Sequence, residues 1–172
     1  MLAFLFAIAT PTDEEIFKAD AERAFRAYSK MVYKHAFLRT GNVSDAEDIL
    51  SEVFVRLVKN TEKIKNEVHL KAWLIRATIN CSNTYYKRSK RINQVRLTDV
   101  DAPEVNSENS VLSAVLALPI HQKTVVYMYY YEGYSVEEIA NLCGVARGTV
   151  KSRLARARET LKSTLEGVDL DV

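Results

Sequence analysis

Apolar residues recur along the first half of the chain at steps of three and four, the spacing that puts them on one face of an α-helix. Phe17, Ala21, Ala24, Tyr28, Met31, His35 and Leu38 trace one such stripe, and Gly41 closes it. At its start, Thr12 and Glu15 have the form of a capping box, in which a hydroxyl and a carboxylate satisfy free N–H groups. Ser44 and Glu47 repeat that form and open a second stripe of Ala46, Ile49, Val53 and Leu57, with Phe54 and Val58 beside it. A third helix is predicted over about 68–79, with Leu70, Trp73, Leu74 and Ala77 inward, and a shorter one over 82–90. Then the pattern breaks. Residues 97–110, "LTDVDAPEVNSENS", are acidic, contain Pro103 and have no apolar period, as a linker would. A second module begins near Val111, and Pro119 opens its next helix, "IHQKTVVYMYYYEGY". The expected architecture is all-α: two small helical domains, 1–96 and 111–172, joined by an acidic flexible linker over 97–110, with no repeat and no strand alternation.

The second module ends in a sharper pattern. Ser135 and Glu138 form a third capping box before "VEEIANL", Gly144 stands where a turn requires positive φ, and a further helix starts near Arg147. Ile139, Leu142, Val145, Val150 and Leu154 pack two short helices together, as in a DNA-binding helix-turn-helix whose second helix enters the major groove. At about 100° per residue, Val150, Leu154, Ala157 and Leu161 of that second helix fall on one core stripe. Gly148, Ser152 and Ala155 lie opposite, all small. Arg147, Lys151 and Arg158 flank one side of the small patch, Arg153 and Arg156 the other. Small residues permit close approach to a groove floor, and flanking cations reach the phosphates on both rims. Thr149 and Ser152 can hydrogen-bond phosphates or base edges. A solvated basic helix, or a helical hairpin without DNA, is the plainer alternative. Ala146 sits where a Ser or Asp cap is expected, at a cost of about 0.5–2 kcal/mol that packing has to offset.

Composition changes the picture mainly through the distribution of charge. The 172 residues are 48% hydrophobic and 27% charged with a formal net charge of +2, as in ordinary globular proteins. From His69 to Thr98 there is no Asp or Glu, while Lys71, Arg76, Lys87, Arg88, Lys90, Arg91 and Arg96 occur with Trp73, Tyr85 and Tyr86 interleaved. Cations beside aromatics suit single-stranded nucleic acid, although Trp73 has core spacing and Tyr85 and Tyr86 cannot both be buried. Asn80 is either a C-cap or a base reader. Asp45, Glu47, Asp48 and Glu52 crowd the start of the preceding helix, either to complement its dipole or, for Asp48 and Glu52, to meet a basic partner. Cys81 and Cys143 are far apart, and His35, His69 and His121 make no metal-binding spacing, which points to a reduced, cytoplasmic compartment and no metal. "MLAFLFAIA" has no Lys or Arg before its apolar run and only nine residues. It reads as a segment packed on the following domain, not as a signal peptide.

Three stretches together, "DAEDILSEVFVRL" (45–57), "KAWLIRATIN" (71–80) and "EGYSVEEIANLCGVARGTVKSRLARARETL" (132–161), resemble the bacterial RNA polymerase sigma factors of the extracytoplasmic-function (ECF) group, over about residues 14–165. The apolar start also resembles the N-termini of some members. The resemblance implies a promoter-specificity subunit, not an enzyme, with no cofactor and no small-molecule substrate. Its implied partners are core RNA polymerase, through the β′ clamp helices and β flap, double- and single-stranded promoter DNA, and an anti-sigma factor. It implies polymerase docking by Asp45, Asp48, Ile49, Ser51, Glu52 and Val55. It implies −10 recognition and melting by Arg76, Asn80, Ser82, Asn83, Tyr85, Lys87, Arg88 and Arg91. It implies −35 binding by Ser135, Arg147, Gly148, Thr149, Lys151, Ser152, Arg153, Ala155 and Arg156, with Lys151, Ser152 and Arg156 at the bases. The acidic linker resembles one that runs through the RNA exit path. Ser51 replaces a usual Gln, Ala146 a frequent Ser and Ala155 a bulkier residue, and "CSNTYY" (81–86) follows the pattern loosely, so the −10 preference does not transfer. A free-standing helix-turn-helix regulator is the alternative, one that needs neither the basic-aromatic run nor the acidic helix. A nuclease would need clustered carboxylates or histidines, which the sequence lacks.

Overall fold

The computed structural model describes residues 21–95 and 110–165. The capping box at Thr12 and Glu15, Phe17, the apolar N-terminus and the linker therefore lie outside the described residues. Seven α-helices are described: α1 (Ala21–Thr40), α2 (Val43–Val58), α3 (Glu67–Val95), α4 (Ser110–Ala117), α5 (Ile120–Val126), α6 (Val136–Cys143) and α7 (Arg147–Leu165). A 3₁₀ turn, Thr61–Lys63, precedes α3, and a π-helical turn, Tyr127–Tyr131, follows α5. No strand occurs among the described residues.

Of the stripe predicted for α1, Ala24, His35 and Leu38 are buried and Ala21, Tyr28 and Met31 half-buried; Val32 and Ala36, outside the predicted stripe, are buried as well, and Gly41 closes the helix at φ 70°. The next boundary differs from expectation. The cap of α2 is Asn42, not Ser44; its side-chain oxygen accepts from the Asp45 N–H at 3.1 Å. Asn42 has the extended backbone a cap requires, and Asn caps as well as Ser does. From there Ala46, Ile49, Val53, Phe54 and Leu57 are buried as predicted, while Val58, expected beside them, is exposed at the end of the helix.

The two helices expected over 68–79 and 82–90 are one, 29 residues long. Nothing between Ile79 and Ser82 breaks it, because neither Gly nor Pro occurs there. The hydroxyls that elsewhere compete with a helix here bond back one turn, Thr78 to the Leu74 carbonyl and Ser82 to the Thr78 carbonyl, both at 2.7 Å. This helix has two apolar faces. Leu70, Leu74, Ala77 and Cys81 join α1 and α2 in the first core, with Trp73 packed against it as its spacing predicted. Ile75 and Ile79 turn the other way, into the core of the second module, with Leu118, Val125, Met128, Ile139, Val150 and Leu154. Two units expected to be linked only by a tether thus share apolar packing. Burial along this seam favours the packed arrangement by about 25 cal/mol per Å² of apolar surface removed from water.

Candidate nucleic-acid interface

The helix-turn-helix is built as its spacing predicts. Ser135 caps α6 with a complete capping box: its hydroxyl accepts from the Glu138 N–H at 3.2 Å, and its own N–H donates to the Glu138 carboxylate at 2.8 Å. The Ser135 hydroxyl, which also donates to the Glu138 carboxylate at 2.7 Å, and then the Ser135 N–H hold that carboxyl below its usual range. Gly144 ends α6 in the left-handed region, φ 65° and ψ 39°, and turns the chain into α7. The carbonyl of Ala146 accepts from the N–H groups of Thr149 and Val150, so Ala146 holds the cap position without a capping side chain. Packing makes up for it: Val150, Leu154 and Ala157 are 0, 2 and 0% exposed, clamped between α6 and the α5 region.

Opposite this stripe Gly148, Ser152 and Ala155 are all exposed, and a Cβ placed on Gly148 would meet no atom within 4 Å. Lys151 and Arg156 are exposed beside the patch, and Thr149 is half-buried. Arg147 is exposed and paired with Glu137 at 3.3 Å, a contact of little stabilising weight at such exposure. Arg158 donates to the Tyr130 hydroxyl at 2.8 Å. Arg153 departs from its expected place. It is half-buried, near enough to Arg39 and His121 to disfavour their charged forms.

The −10 candidates on α3 divide by face. Asn80 and Arg76 are exposed, and Arg76 reaches across to donate to the Asn141 carbonyl of α6 at 3.3 Å. Asn83 is half-buried and accepts from Arg39 at 2.6 Å. Ser82 is a correction: 1% exposed, with its hydroxyl committed to Thr78, it presents nothing to a ligand because the unbroken helix carries it into the core. Tyr85 points to α2, where its hydroxyl donates to Asp45 at 2.7 Å. Lys87, Arg88 and Arg91 continue the same helix, and their side chains lie outside the described residues.

On α2, Asp48, Ser51, Glu52 and Val55 are exposed along a groove shared with Cys81, Thr84 and Tyr85 of α3, and Glu52 accepts from Arg56 at 2.7 Å. Asp45 is half-buried against Tyr85, while Ile49, 2% exposed, belongs to the core and only edges the groove. Among the described residues no cluster of His, Cys, Asp and Glu could hold a metal ion, and no helix is long and apolar enough to cross a membrane.

Comparison with known proteins now decides the family. The Sigma-70 region 2 model matches residues 24–92, and the Sigma-70, region 4 model matches residues 108–161. ECF RNA polymerase sigma factor SigM of Mycobacterium tuberculosis is 29% identical over 149 residues, 84% of this chain and 76% of its own. ECF RNA polymerase sigma factor SigE of Mycolicibacterium smegmatis is 30% identical over 176 residues, covering 90% of this chain and 68% of its own. The chain belongs to the ECF RNA polymerase sigma factors. Two solved structures share the fold of this sigma factor. One is the sigma factor RpoE in complex with the anti-sigma factor NepR from Bartonella quintana, with a TM-score of 0.65 and 22% identity over 87% of this chain and 97% of that one. The other is CnrH in complex with the cytosolic domain of CnrY, with a TM-score of 0.62 and 20% identity over 90% and 97%.

The sigma factor is accordingly a promoter-specificity subunit for transcription initiation. Its region 2 is α1–α3, and its region 4 is carried by α4–α7. A free-standing regulator is not favoured, since such a protein has no use for the region 2 module. Sequence reasoning missed the residues that join these modules: Arg39, Lys71, Thr124, Glu132 and Tyr134. One signal was visible, His35, a polar residue on the apolar stripe of α1. It is 1% exposed and pairs with Glu132 at 2.9 Å.

Proposed function

We propose that this sigma factor binds core RNA polymerase through the exposed strip of α2, at Asp48, Ser51, Glu52 and Val55, and through region 4 at the β flap. In this reading α7 lies in the major groove of the −35 element. Its small patch faces the groove floor, Lys151, Ser152 and Arg156 face the bases, and Arg147 faces a phosphate rim. The outer face of α3, at Arg76, Asn80 and Asn83, takes the unpaired −10 strand, with Lys87, Arg88 and Arg91 following the backbone. The protein supplies no catalytic group; nucleotide addition belongs to the polymerase. It works in the cytoplasm, and an anti-sigma factor binds it, as the anti-sigma factor NepR binds RpoE.

One observation carries the reading. On α7 the residues buried to 2% exposure or less stand opposite an exposed patch of Gly148, Ser152 and Ala155 with cations beside it. A helix built only for solvent has no reason to keep one side small and bordered by charge of a single sign. The test mixes the full-length protein with purified core polymerase on a size-exclusion column, with and without promoter DNA. Co-elution with core, and retention of promoter DNA by the complex, is the expected result. Binding to duplex DNA with no retention on core would instead mark a free-standing regulator.

A further inference from the structure

Three consecutive tyrosines, Tyr129, Tyr130 and Tyr131, stand 37, 54 and 69% exposed on the π-helical turn between α5 and α6. Neither core takes them in. Single exposed aromatics are ordinary, but a run of three on an irregular turn marks a surface with a use beyond the fold. The rings brace one another. Tyr129 meets Tyr130 edge to face, with centroids 5.0 Å apart and planes at 80°, and Tyr131 stacks on Tyr127 at 5.6 Å. Tyr130 reaches from this turn to α7, where its hydroxyl accepts from the Nε of Arg158 at 2.8 Å.

Arg158 continues the rim of cations beside the small patch of α7. At about 100° and 1.5 Å per residue, Arg147, Lys151 and Arg158 lie within about 40° of one another and span roughly 16 Å of the helix edge. Their situations differ. Arg147 is paired with Glu137 at 3.3 Å, so part of its charge is already answered. Arg158 is exposed, and no carboxylate among the described residues pairs with it. A neutral hydroxyl fixes its Nε and leaves the two terminal amino groups of the planar fork for a ligand. Such a fork matches two oxygens of a phosphate, and a guanidinium already held in place loses less rotamer freedom when it binds.

We propose that Tyr130 is a positioning residue for −35 binding: it presets Arg158 as a clamp on a backbone phosphate at the Arg147 and Lys151 side of the groove. Arg158 makes the contact, and Tyr130 acts through it. The contact adds affinity without sequence preference, because phosphates carry no base information. The proposal rests on α7 lying in the −35 groove. Neutralising one phosphate releases counterions, which amounts to about 0.9 in the slope of log affinity against log salt, or about eightfold at 0.1 M relative to 1 M salt. Holding one arginine in place beforehand contributes a smaller factor, about threefold.

The test measures binding of the full chain to a labelled duplex carrying the −35 half of a candidate promoter, and to a scrambled duplex, by fluorescence anisotropy over a series of salt concentrations. The variants are Tyr130→Phe, which removes only the hydroxyl, Arg158→Ala, and the two combined. Both side chains are exposed, so neither substitution empties a core, and circular dichroism reads Tm. Arg158→Ala is expected to weaken both duplexes about eightfold at 0.1 M salt and to lower the salt slope by about 0.9. Tyr130→Phe is expected to weaken both about threefold with the slope unchanged, since Arg158 still reaches the phosphate. Once Arg158 is replaced, Tyr130→Phe should change nothing further. An unchanged slope in Arg158→Ala overturns the clamp. A loss from Tyr130→Phe that persists in the Arg158→Ala background, or a lowered Tm with unchanged affinity, overturns the positioning; the second outcome makes the bond a staple between the π-helical turn and α7. A preference for the −35 duplex that survives while these variants behave as wild type overturns this proposal alone. If no form prefers the −35 duplex to the scrambled one, with or without core polymerase, the −35 reading of α7 fails and this proposal with it.

Discussion

Gly148→Ala separates what α7 does for the fold from what it does for DNA. Gly148 sits in the first turn of the helix, its φ is not in the left-handed region, and an added Cβ would meet no atom within 4 Å. Nothing in the structure therefore resists the methyl group. Replacing Gly by Ala in a helix removes backbone entropy from the unfolded chain and stabilises by about 0.5–1 kcal/mol. For a chain of this size that raises Tm by roughly 1–4 °C, followed by circular dichroism. The same methyl lies at the centre of the patch proposed to face the groove floor, where it would hold the helix away from the base edges. A loss of affinity for −35 duplex of about tenfold, or roughly 1.4 kcal/mol, is expected by fluorescence anisotropy. Higher Tm with unchanged affinity would refute the close approach of the patch to DNA. Lower Tm would refute the open space around Gly148.

Other perturbations test neighbouring steps of the argument. Leu154→Ala empties a site that is 2% exposed at the junction of α6 and α7 and should cost about 2–5 kcal/mol in urea denaturation; a loss below 1 kcal/mol would mean that the stripe is not core. Arg156→Ala should weaken cognate −35 DNA by about 1–3 kcal/mol while sparing unrelated duplex, and an equal loss on every sequence would make it a phosphate contact. His121 has its pKa lowered from 6.5 by partial burial and then by Arg153 and Arg39. The unfolded chain thus takes up the proton first, so stability should fall as pH drops below about 6.5. His121→Gln should flatten that part of the pH–stability curve, and an unchanged slope would show that Arg153 and Arg39 do not act on His121.

What was legible in the sequence was whatever local periodicity decides. The opposition of Val150, Leu154 and Ala157 to Gly148, Ser152 and Ala155 follows from helical geometry alone, and Ser135 with Glu138 needs only a three-residue spacing. Boundaries were less legible where two residues compete for one role. Asn42 and Ser44 both cap well, and the position of the Gly41 turn decided between them. The break expected before Ser82 failed because hydroxyl groups that bond back one turn leave the helix unbroken. The seam was not legible at all. Ile75 and Ile79 read as ordinary helix residues until a second apolar surface arrives to cover them, and Arg39 lies 85 positions from Thr124. Contacts between modules have no period, so only the tertiary structure reveals them. That is also why Arg153 was assigned to DNA with its neighbours although its charge lies beside Arg39.

The most direct measurement of the central claim is run-off transcription by purified core polymerase from a promoter carrying candidate −35 and −10 elements, with and without this protein. The account predicts a defined start only when the protein is present, lost when either element is scrambled and reduced by Arg156→Ala in proportion to its effect on −35 binding. Transcription that is equal with and without the protein, or indifferent to both elements, would contradict it.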